Sequence, residues 1–136
     1  MYIGIDPDIK KSGVAIWQNK ELFLYNLSFP KLQGFLFENK DKIKKVIISA
    51  GWLNKTNFHA KANFNKSVNS IIGERVGANH QIGKLITEYC KHYNIPFELS
   101  KPKAKKLDAE TFKNITKFDK RTNQEQRDAG ILVFGL

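Results

Sequence analysis

The first 27 residues constrain the fold most, because they hold three short apolar runs with almost no chain between them. Residues 2–6, 12–18 and 21–27 each have the length and the apolar pattern of a β-strand. Asn19-Lys20 leaves room only for a tight turn between the second and third runs. Strands joined this closely pair antiparallel, since a parallel connection needs a dozen or more residues. The chain is therefore predicted to begin with a three-stranded meander.

Helices and strands are predicted to alternate in the rest of the chain. The expected elements are a short helix opened by Pro30, a buried strand at 46–48, a long helix over 66–93, a fifth strand at 97–99, a short helix capped by Asp108 and a last helix starting at Thr122. Residues 51–65 have no clean period and are predicted to form a loop. This order predicts one α/β domain over residues 1–136, with a five-stranded mixed sheet and helices on both faces. Helical crossovers imply that the first, fourth and fifth strands are parallel.

Charge is unevenly distributed along the chain. Lys and Arg total 23 against 13 Asp and Glu, which gives a net charge of +10. Residues 1–39 are neutral overall, whereas residues 40–91 carry +7 and residues 101–136 carry +4. A neutral start followed by a basic remainder favours a surface that meets a polyanion such as nucleic acid. Surface lysine that only keeps the chain in solution remains the alternative.

Several classes of protein are not expected. No apolar run approaches the ~20 residues that span a bilayer, and Asp6 interrupts the only apolar stretch of the N-terminus, so we expect neither a membrane span nor a signal peptide. A lone cysteine, Cys90, excludes an internal disulfide and favours a reducing, cytoplasmic setting. His59, His80 and His92 are not at zinc-ligand spacing from it, so a structural zinc site is not expected.

Three carboxylates are candidates for chemistry. Asp6 ends the first strand, where ligands bind in open α/β sheets, although Asp-Pro-Asp is also good turn chemistry. Glu125 and Asp128 lie three residues apart and hence on one face of the last helix. That face continues to Ala129, which is expected to pack on the sheet, where an acid is costly unless it is paired or binds metal. For Glu125 a capping role is equally consistent, because Thr122-Asn123-Gln124-Glu125 fits a capping box.

Acids so far apart in sequence could act together only if the last helix packs beside the first strand. Hard cations such as Mg²⁺ choose oxygen ligands and keep several waters. Two such ions ~3.5–4 Å apart can activate water and stabilise the leaving oxygen in phosphodiester cleavage.

Five segments together resemble the RuvC-type Holliday-junction resolvases, which have a ribonuclease H-like fold. The segments are, in order, IGIDPDIKKSGVAI, VIIS, GERVGANHQIG, KPKAKK and TNQEQRDAGILVFG. The similarity covers essentially the whole chain, although each motif alone is weak. The compact length and the segment AGWLNKTNFH are more similar to the short phage and mobile-element versions than to the housekeeping bacterial enzyme.

The resemblance implies a homodimeric, intracellular crossover junction endodeoxyribonuclease that resolves four-way DNA junctions with Mg²⁺ or Mn²⁺, in a bacterial or phage-infected cell. The family's catalytic and metal-binding acids correspond to Asp6, Glu125 and Asp128. A further family glutamate, at the end of the central strand, corresponds here to Ser49. Serine cannot bridge two cations as a carboxylate can. A natural low-activity homologue, a replacement acid such as Glu74, and a substitution made to trap substrate all remain open.

Basic and aromatic residues after the central strand are candidates for DNA contact. Basic side chains neutralise phosphates, and aromatic rings stack on exposed bases at ~1–3 kcal/mol each. The candidates in this loop are Lys55, Phe58, Lys61, Phe64 and Lys66. Rings that fold back onto the core are the alternative. By resemblance, the lysines after the fifth strand support the chemistry near the cleaved phosphate, and the matching candidates are Lys103, Lys105 and Lys106.

Two other functions compete with the nuclease. A catalytically inactive protein of the same fold that binds branched DNA would share everything except cleavage. A sugar-kinase or actin-like nucleotide binder also begins with strand, turn and strand after an Asp. That class needs a second such subdomain and a further phosphate loop, and neither is present in 136 residues.

Overall fold

A computed structural model of the protein describes residues 1–54 and 66–136, with side chains from residue 69 onward in the second part. The strands are β1 (Tyr2–Asp6), β2 (Ser12–Gln18), β3 (Glu21–Leu27), β4 (Lys45–Ser49) and β5 (Phe97–Ser100). The helices are α1 (Phe29–Asn39), α2 (Lys66–His92), α3 (Ala109–Thr116) and α4 (Gln124–Val133), and a short 3₁₀ turn spans Gly51–Leu53.

The five strands form one mixed sheet in the order β3-β2-β1-β4-β5. β1, β2 and β3 pair antiparallel, as predicted for the meander, and Asn19 and Lys20 both have positive φ in the turn between β2 and β3. β4 pairs parallel with β1 and with β5, which confirms the predicted crossovers. The carboxyl ends of β1, β4 and β5 therefore meet at one edge of the sheet.

Helices cover both faces of the sheet, as the order of elements predicted. On one face, α1 and α2 contribute Leu32, Ile82 and Ile86 to a core that includes Ile3 and Ile48. This division follows from the alternation of each strand, because successive side chains point to opposite faces.

On the other face, α4 lies against β1 and β2 through a smaller cluster. Ala129 and Val133 of α4 pack there against Ala15 of β2 and Ile47 of β4. Cys90 is buried without a disulfide. Within the described parts of the chain, no helix has the length and apolar character needed to cross a membrane.

The N-cap of the last helix lies one residue later than the sequence analysis predicted, and α4 itself begins at Gln124. Its N-cap is Asn123, whose side chain accepts from the Gln126 backbone N–H at 2.9 Å, while Gln126 Oε1 accepts from the Asn123 backbone N–H at 3.1 Å. The capping box is thus real, but Thr122 and Glu125 are not its members. The interpretation of Glu125 as a capping residue was wrong. Asn is at least as strong an N-cap as Thr, and Gln can take the place of Glu at the third helical position of a capping box.

Two glycines let α4 approach the sheet. A Cβ on Gly4 of β1 would collide with the Ala129 carbonyl oxygen, and one on Gly13 of β2 would collide with the Glu125 carbonyl oxygen. Both obstacles are helix backbone, which cannot move aside as a flexible side chain could. Glycine at these positions therefore sets the depth at which α4 sits on β1 and β2.

We predict that Gly13→Ala destabilises the fold by about 1–3 kcal/mol, because the methyl group meets backbone in a packed interface. Gly34→Ala is the matched control, since nothing lies within 4 Å of a Cβ at that exposed helical position. The control should gain about 0.5–1 kcal/mol from lower backbone entropy. Urea unfolding of both variants measures these changes, and equal stabilities would contradict the close approach of α4.

Candidate active site

The structure brings the three predicted acids to one place. Asp6 is the last residue of β1, and Gly13 of β2 is its partner across the ladder. Glu125, in the first turn of α4, lies over Gly13, and Asp128 is about one turn further along. The charges of Asp128 and Glu125 both act on the Asp6 carboxyl group. The acids thus converge at the carboxyl ends of the parallel strands, where ligands bind in open α/β sheets.

Asp6 sits where its charged form is disfavoured. Burial is the largest cause and the Asp128 charge the next, and together they raise the pKa of Asp6 from 3.8 to about 7. Lys106 lowers this pKa in part, whereas Glu125 and Asp8 raise it further. Among the described residues, none donates a hydrogen bond to the Asp6 side chain. Such a carboxyl group gains most from a nearby cation.

The second acid of Asp-Pro-Asp has the structural role. Asp8 Oδ2 accepts from the backbone N–H groups of Lys10 at 2.9 Å and Lys11 at 3.3 Å, and Arg75 pairs with Asp8 at 3.5 Å. Asp8 therefore forms the β1–β2 turn and ties it to α2. Turn formation was the alternative explanation for Asp6. Because Asp8 forms the hydrogen bonds of this turn, that explanation does not account for Asp6.

Asp128 is held by a lysine and a glutamine. Lys106 Nζ lies 2.6 Å from Asp128 Oδ2, and Gln124 Nε2 donates to Asp128 Oδ1 at 2.8 Å. Of the three candidate lysines after β5, Lys106 is the one paired with a predicted catalytic acid. It brings a positive charge into the acidic cluster, consistent with its effect on Asp6.

The sequence analysis missed the residues that fix Lys106 in place. The Leu107 carbonyl oxygen accepts from Arg127 Nε at 2.9 Å and from Gln124 Nε2 at 3.3 Å, so α4 anchors the loop after β5. The contact between Gln124 and Asp128 could have been predicted, because their four-residue spacing places both on one helix face.

Ser49 lies beside Asp6 at the end of β4, where its hydroxyl group stands in place of the carboxylate that the resemblance implies. Ile5 pairs with Ile48 in the parallel ladder, so Asp6 and Ser49 are the next residues of neighbouring strands. Ser49 is buried, and it lines two cavities at this edge of the sheet. Glu74 is exposed on α2 and lines neither of them, so nothing in the structure supports it as the replacement acid.

The two cavities meet at the acidic cluster. One, of about 150 Å³, is lined by Asp6, Ser49, His80 and Lys106 among others. The other, of about 580 Å³, runs beside α4 past Asp128. Its basic lining residues are Lys45, Lys101, Lys103, Lys105, Lys106 and Arg127. Lys103 and Lys105 therefore line a basic groove that leads to the acids.

The remaining predicted DNA contacts lie in the segment before α2 and at its first residue. Lys55, Phe58, Lys61 and Phe64 lie outside the described residues, and so does the side chain of Lys66, the first residue of α2. Their predicted role in DNA binding stays a prediction.

The donors at this site fit an open cation site. Among the described side chains, no three from His, Cys, Asp and Glu are close enough together to enclose a metal ion. Mg²⁺ is ordinarily held by only one or two carboxylates, with water and substrate phosphate completing its shell. Asp6 and Asp128 supply such a pair, and the burial and neighbouring acids that raise the pKa of Asp6 favour a cation beside it.

Comparison with known proteins identifies the fold. No protein-family model and no curated protein sequence matches the chain. Among solved structures it is similar to T. thermophilus RuvC in complex with a Holliday junction substrate, with a TM-score of 0.51 and 13% sequence identity. The match covers 94% of this chain and 86% of that one. The predicted ribonuclease H-like α/β fold, with its five-stranded mixed sheet, is thereby confirmed.

The raised pKa of Asp6 predicts how stability depends on pH without metal. The folded chain keeps the Asp6 proton up to a pH of about 7, whereas the unfolded chain releases it near 3.8. Folding therefore takes up a proton between these values, and the free energy of unfolding falls as the pH rises through this window. In EDTA, Asp6→Asn should remove this fall and raise the melting temperature at pH 8 by roughly 5 °C.

Asp41→Asn is the control, because it removes one carboxylate at an exposed position elsewhere on the chain. Thermal unfolding at pH 5 and pH 8 compares the three proteins. The same pH dependence in Asp6→Asn and the parent would show that Asp6 is not held in an unfavourable environment.

Proposed function

We propose that this protein is a metal-dependent, structure-selective endodeoxyribonuclease that resolves four-way DNA junctions. One observation carries the proposal: Asp6, Asp128 and Glu125 converge at the carboxyl ends of the parallel strands, with the Asp6 charge under-compensated. The similarity in fold to a RuvC bound to a Holliday junction substrate supports the choice of substrate.

Asp6 and Asp128 would hold the divalent cation, with Glu125 beside them. When bound, Mg²⁺ or Mn²⁺ would activate a water molecule and stabilise the leaving oxygen, with two ions acting together in the full form of this chemistry. Because cation and proton compete for Asp6, the carboxyl group would give up its proton on loading. Lys106, now paired with Asp128, is positioned to neutralise a phosphate that enters the site.

The basic groove beside α4 would guide DNA to these acids. Lys103 and Lys105 line it on the way to Asp128, and cationic side chains neutralise phosphates without reading sequence. Beyond the described residues, Lys55, Lys61 and Lys66 would extend this contact, and Phe58 or Phe64 would stack on bases exposed at the junction centre.

The proposal includes a homodimer formed through α2. Ile71 and Ile72 are 65% and 53% exposed, and Leu85, about four turns further along the same helix, is 41% exposed. Ile71 and Leu85 lie on one face of the helix, with Ile72 on the adjacent face, and exposed large apolar side chains are typical of an interface. Light scattering at micromolar concentration should give the mass of two chains, and a monomer would remove this part of the proposal.

A catalytically inactive junction-binding protein is the second candidate. It is favoured by Ser49, which stands beside Asp6 where the resembled family has a glutamate. Without that carboxylate the site has one oxygen ligand fewer, so a second cation would bind weakly. Both candidates predict selective binding to junctions, and only cleavage separates them.

The test uses a labelled four-way junction and a matched duplex at fixed salt, with Mg²⁺, Mn²⁺ or Ca²⁺. We expect paired nicks in the junction alone with Mg²⁺ or Mn²⁺, and Ser49→Glu should speed nicking by about 10²-fold or more if it restores a ligand. Asp6→Asn should bind the junction and fail to nick it.

The outcomes are distinct. Tight junction-selective binding without nicks in either the parent or Ser49→Glu would favour the inactive binding protein. Equal affinity for junction and duplex would overturn both candidates.

A further inference from the structure

The β1–β2 turn follows directly on Asp6 and carries charge that the proposed function does not use. Its residues 7–11 link Asp6 to Ser12, at the end of the sheet where the three acids converge. Lys10 and Lys11 are both exposed in this turn. Because a chain extends at most about 3.6 Å per residue, the Lys10 Cα atom lies within about 14 Å of the Asp6 Cα atom. Phosphates repeat about every 3.4 Å along one DNA strand, so the acids and the turn are within about four phosphates of each other.

Hydrogen bonds and an ion pair fix the shape of this turn. The Asp8 side chain is only 10% exposed, and its carboxylate accepts from the backbone N–H groups of both lysines. From α2, Arg75 pairs with this carboxylate, and Asn79 Oδ1 accepts from the Ile9 backbone N–H at 2.8 Å. The turn is therefore already ordered without DNA, which lowers the entropic cost of binding a ligand there.

The two ammonium groups take no part in that bonding. Arg75 matches the charge of Asp8, and the lysines contribute only their backbone N–H groups to the turn. Among residues 1–54 and 69–136, no carboxylate forms an ion pair with either ammonium group. These two adjacent charges repel each other, and a bound phosphate chain would offset that repulsion.

The turn and the basic groove lie on opposite sides of Asp6 along the edge of the sheet. In the strand order β3-β2-β1-β4-β5, the turn joins β1 to β2, whereas the groove is lined by Ile47 of β4 and Glu98 of β5. A DNA strand that crosses the acids along this edge would meet positive charge before and after them. Phosphate contacts on both sides would fix the register and direction of the strand.

We propose that Lys10 and Lys11 form a second phosphate contact, which holds the DNA strand on the β2 side of the acids while the basic groove holds it on the β5 side. The contact rests on the proposed function, since it presupposes DNA at the acids. It would position the strand without choosing its sequence, because phosphates are the same at every step.

The test measures the affinity of the full chain for a labelled four-way junction in Ca²⁺, by fluorescence anisotropy over a range of salt concentrations. Each phosphate contact contributes about 0.9 to the slope of log affinity against log salt concentration. The double variant Lys10→Gln/Lys11→Gln should therefore lose about 2 from the magnitude of this slope. Its affinity at about 0.1 M salt should fall at least about tenfold.

Two matched variants control for charge and for fold. Lys10→Arg/Lys11→Arg keeps both charges and should keep the slope of the parent protein. Lys20→Gln/Lys42→Gln removes the same charge from exposed positions at the opposite end of the sheet, and it should also keep the parent slope. Circular dichroism confirms that each variant is folded.

The failures of the two proposals are distinguishable. Junction-selective binding by the parent protein, with the same slope in Lys10→Gln/Lys11→Gln, would overturn the contact at the turn and leave the proposed function standing. An equal loss in Lys20→Gln/Lys42→Gln or in the arginine variant would do the same, because the loss would then not come from these two charges. A parent protein that does not prefer the junction to a matched duplex would overturn the proposed function and the contact together.

Discussion

The close contact of α4 with two glycines is the constraint on which the rest of the site depends. Gly4 and Gly13 let the helix backbone rest directly on β1 and β2, and any side chain there would meet a helix carbonyl group. Because Gly13 is the ladder partner of Asp6, the same contact brings Glu125 and Asp128 beside that aspartate. A helix held further from the sheet would leave Asp6 a solvated carboxylate with an ordinary pKa.

The electrostatics of the site follow from this approach. Burial and the neighbouring acids hold the pKa of Asp6 at about 7, and Lys106 offsets part of the repulsion through its ion pair with Asp128. Gln124 and Arg127 fix that lysine by anchoring the loop after β5. An ammonium group is a single positive charge that can give way to a divalent cation or turn to a phosphate. In the part of the chain that the structure describes, Lys106 is the cation paired with these acids, and the raised pKa of Asp6 favours binding of a further cation.

Local patterns predicted most of the fold and only part of the site. The meander, the parallel crossovers and the Asp108 cap depend on neighbours in sequence, and the structure confirms each of them. The N-cap of α4 was predicted one residue too early, because adjacent Thr122 and Asn123 are both good N-caps. The choice of Lys106 over Lys103 and Lys105 needed the bonds from α4 to Leu107.

The central claim is that the Asp6–Asp128 cluster is a cation site, and anomalous X-ray diffraction from crystals soaked in Mn²⁺ tests it most directly. The account predicts a manganese peak within about 2.5 Å of carboxylate oxygens from both Asp6 and Asp128, with Lys106 displaced from its present ion pair. Asp128 still paired with Lys106 at saturating Mn²⁺, with no peak beside Asp6, would contradict it.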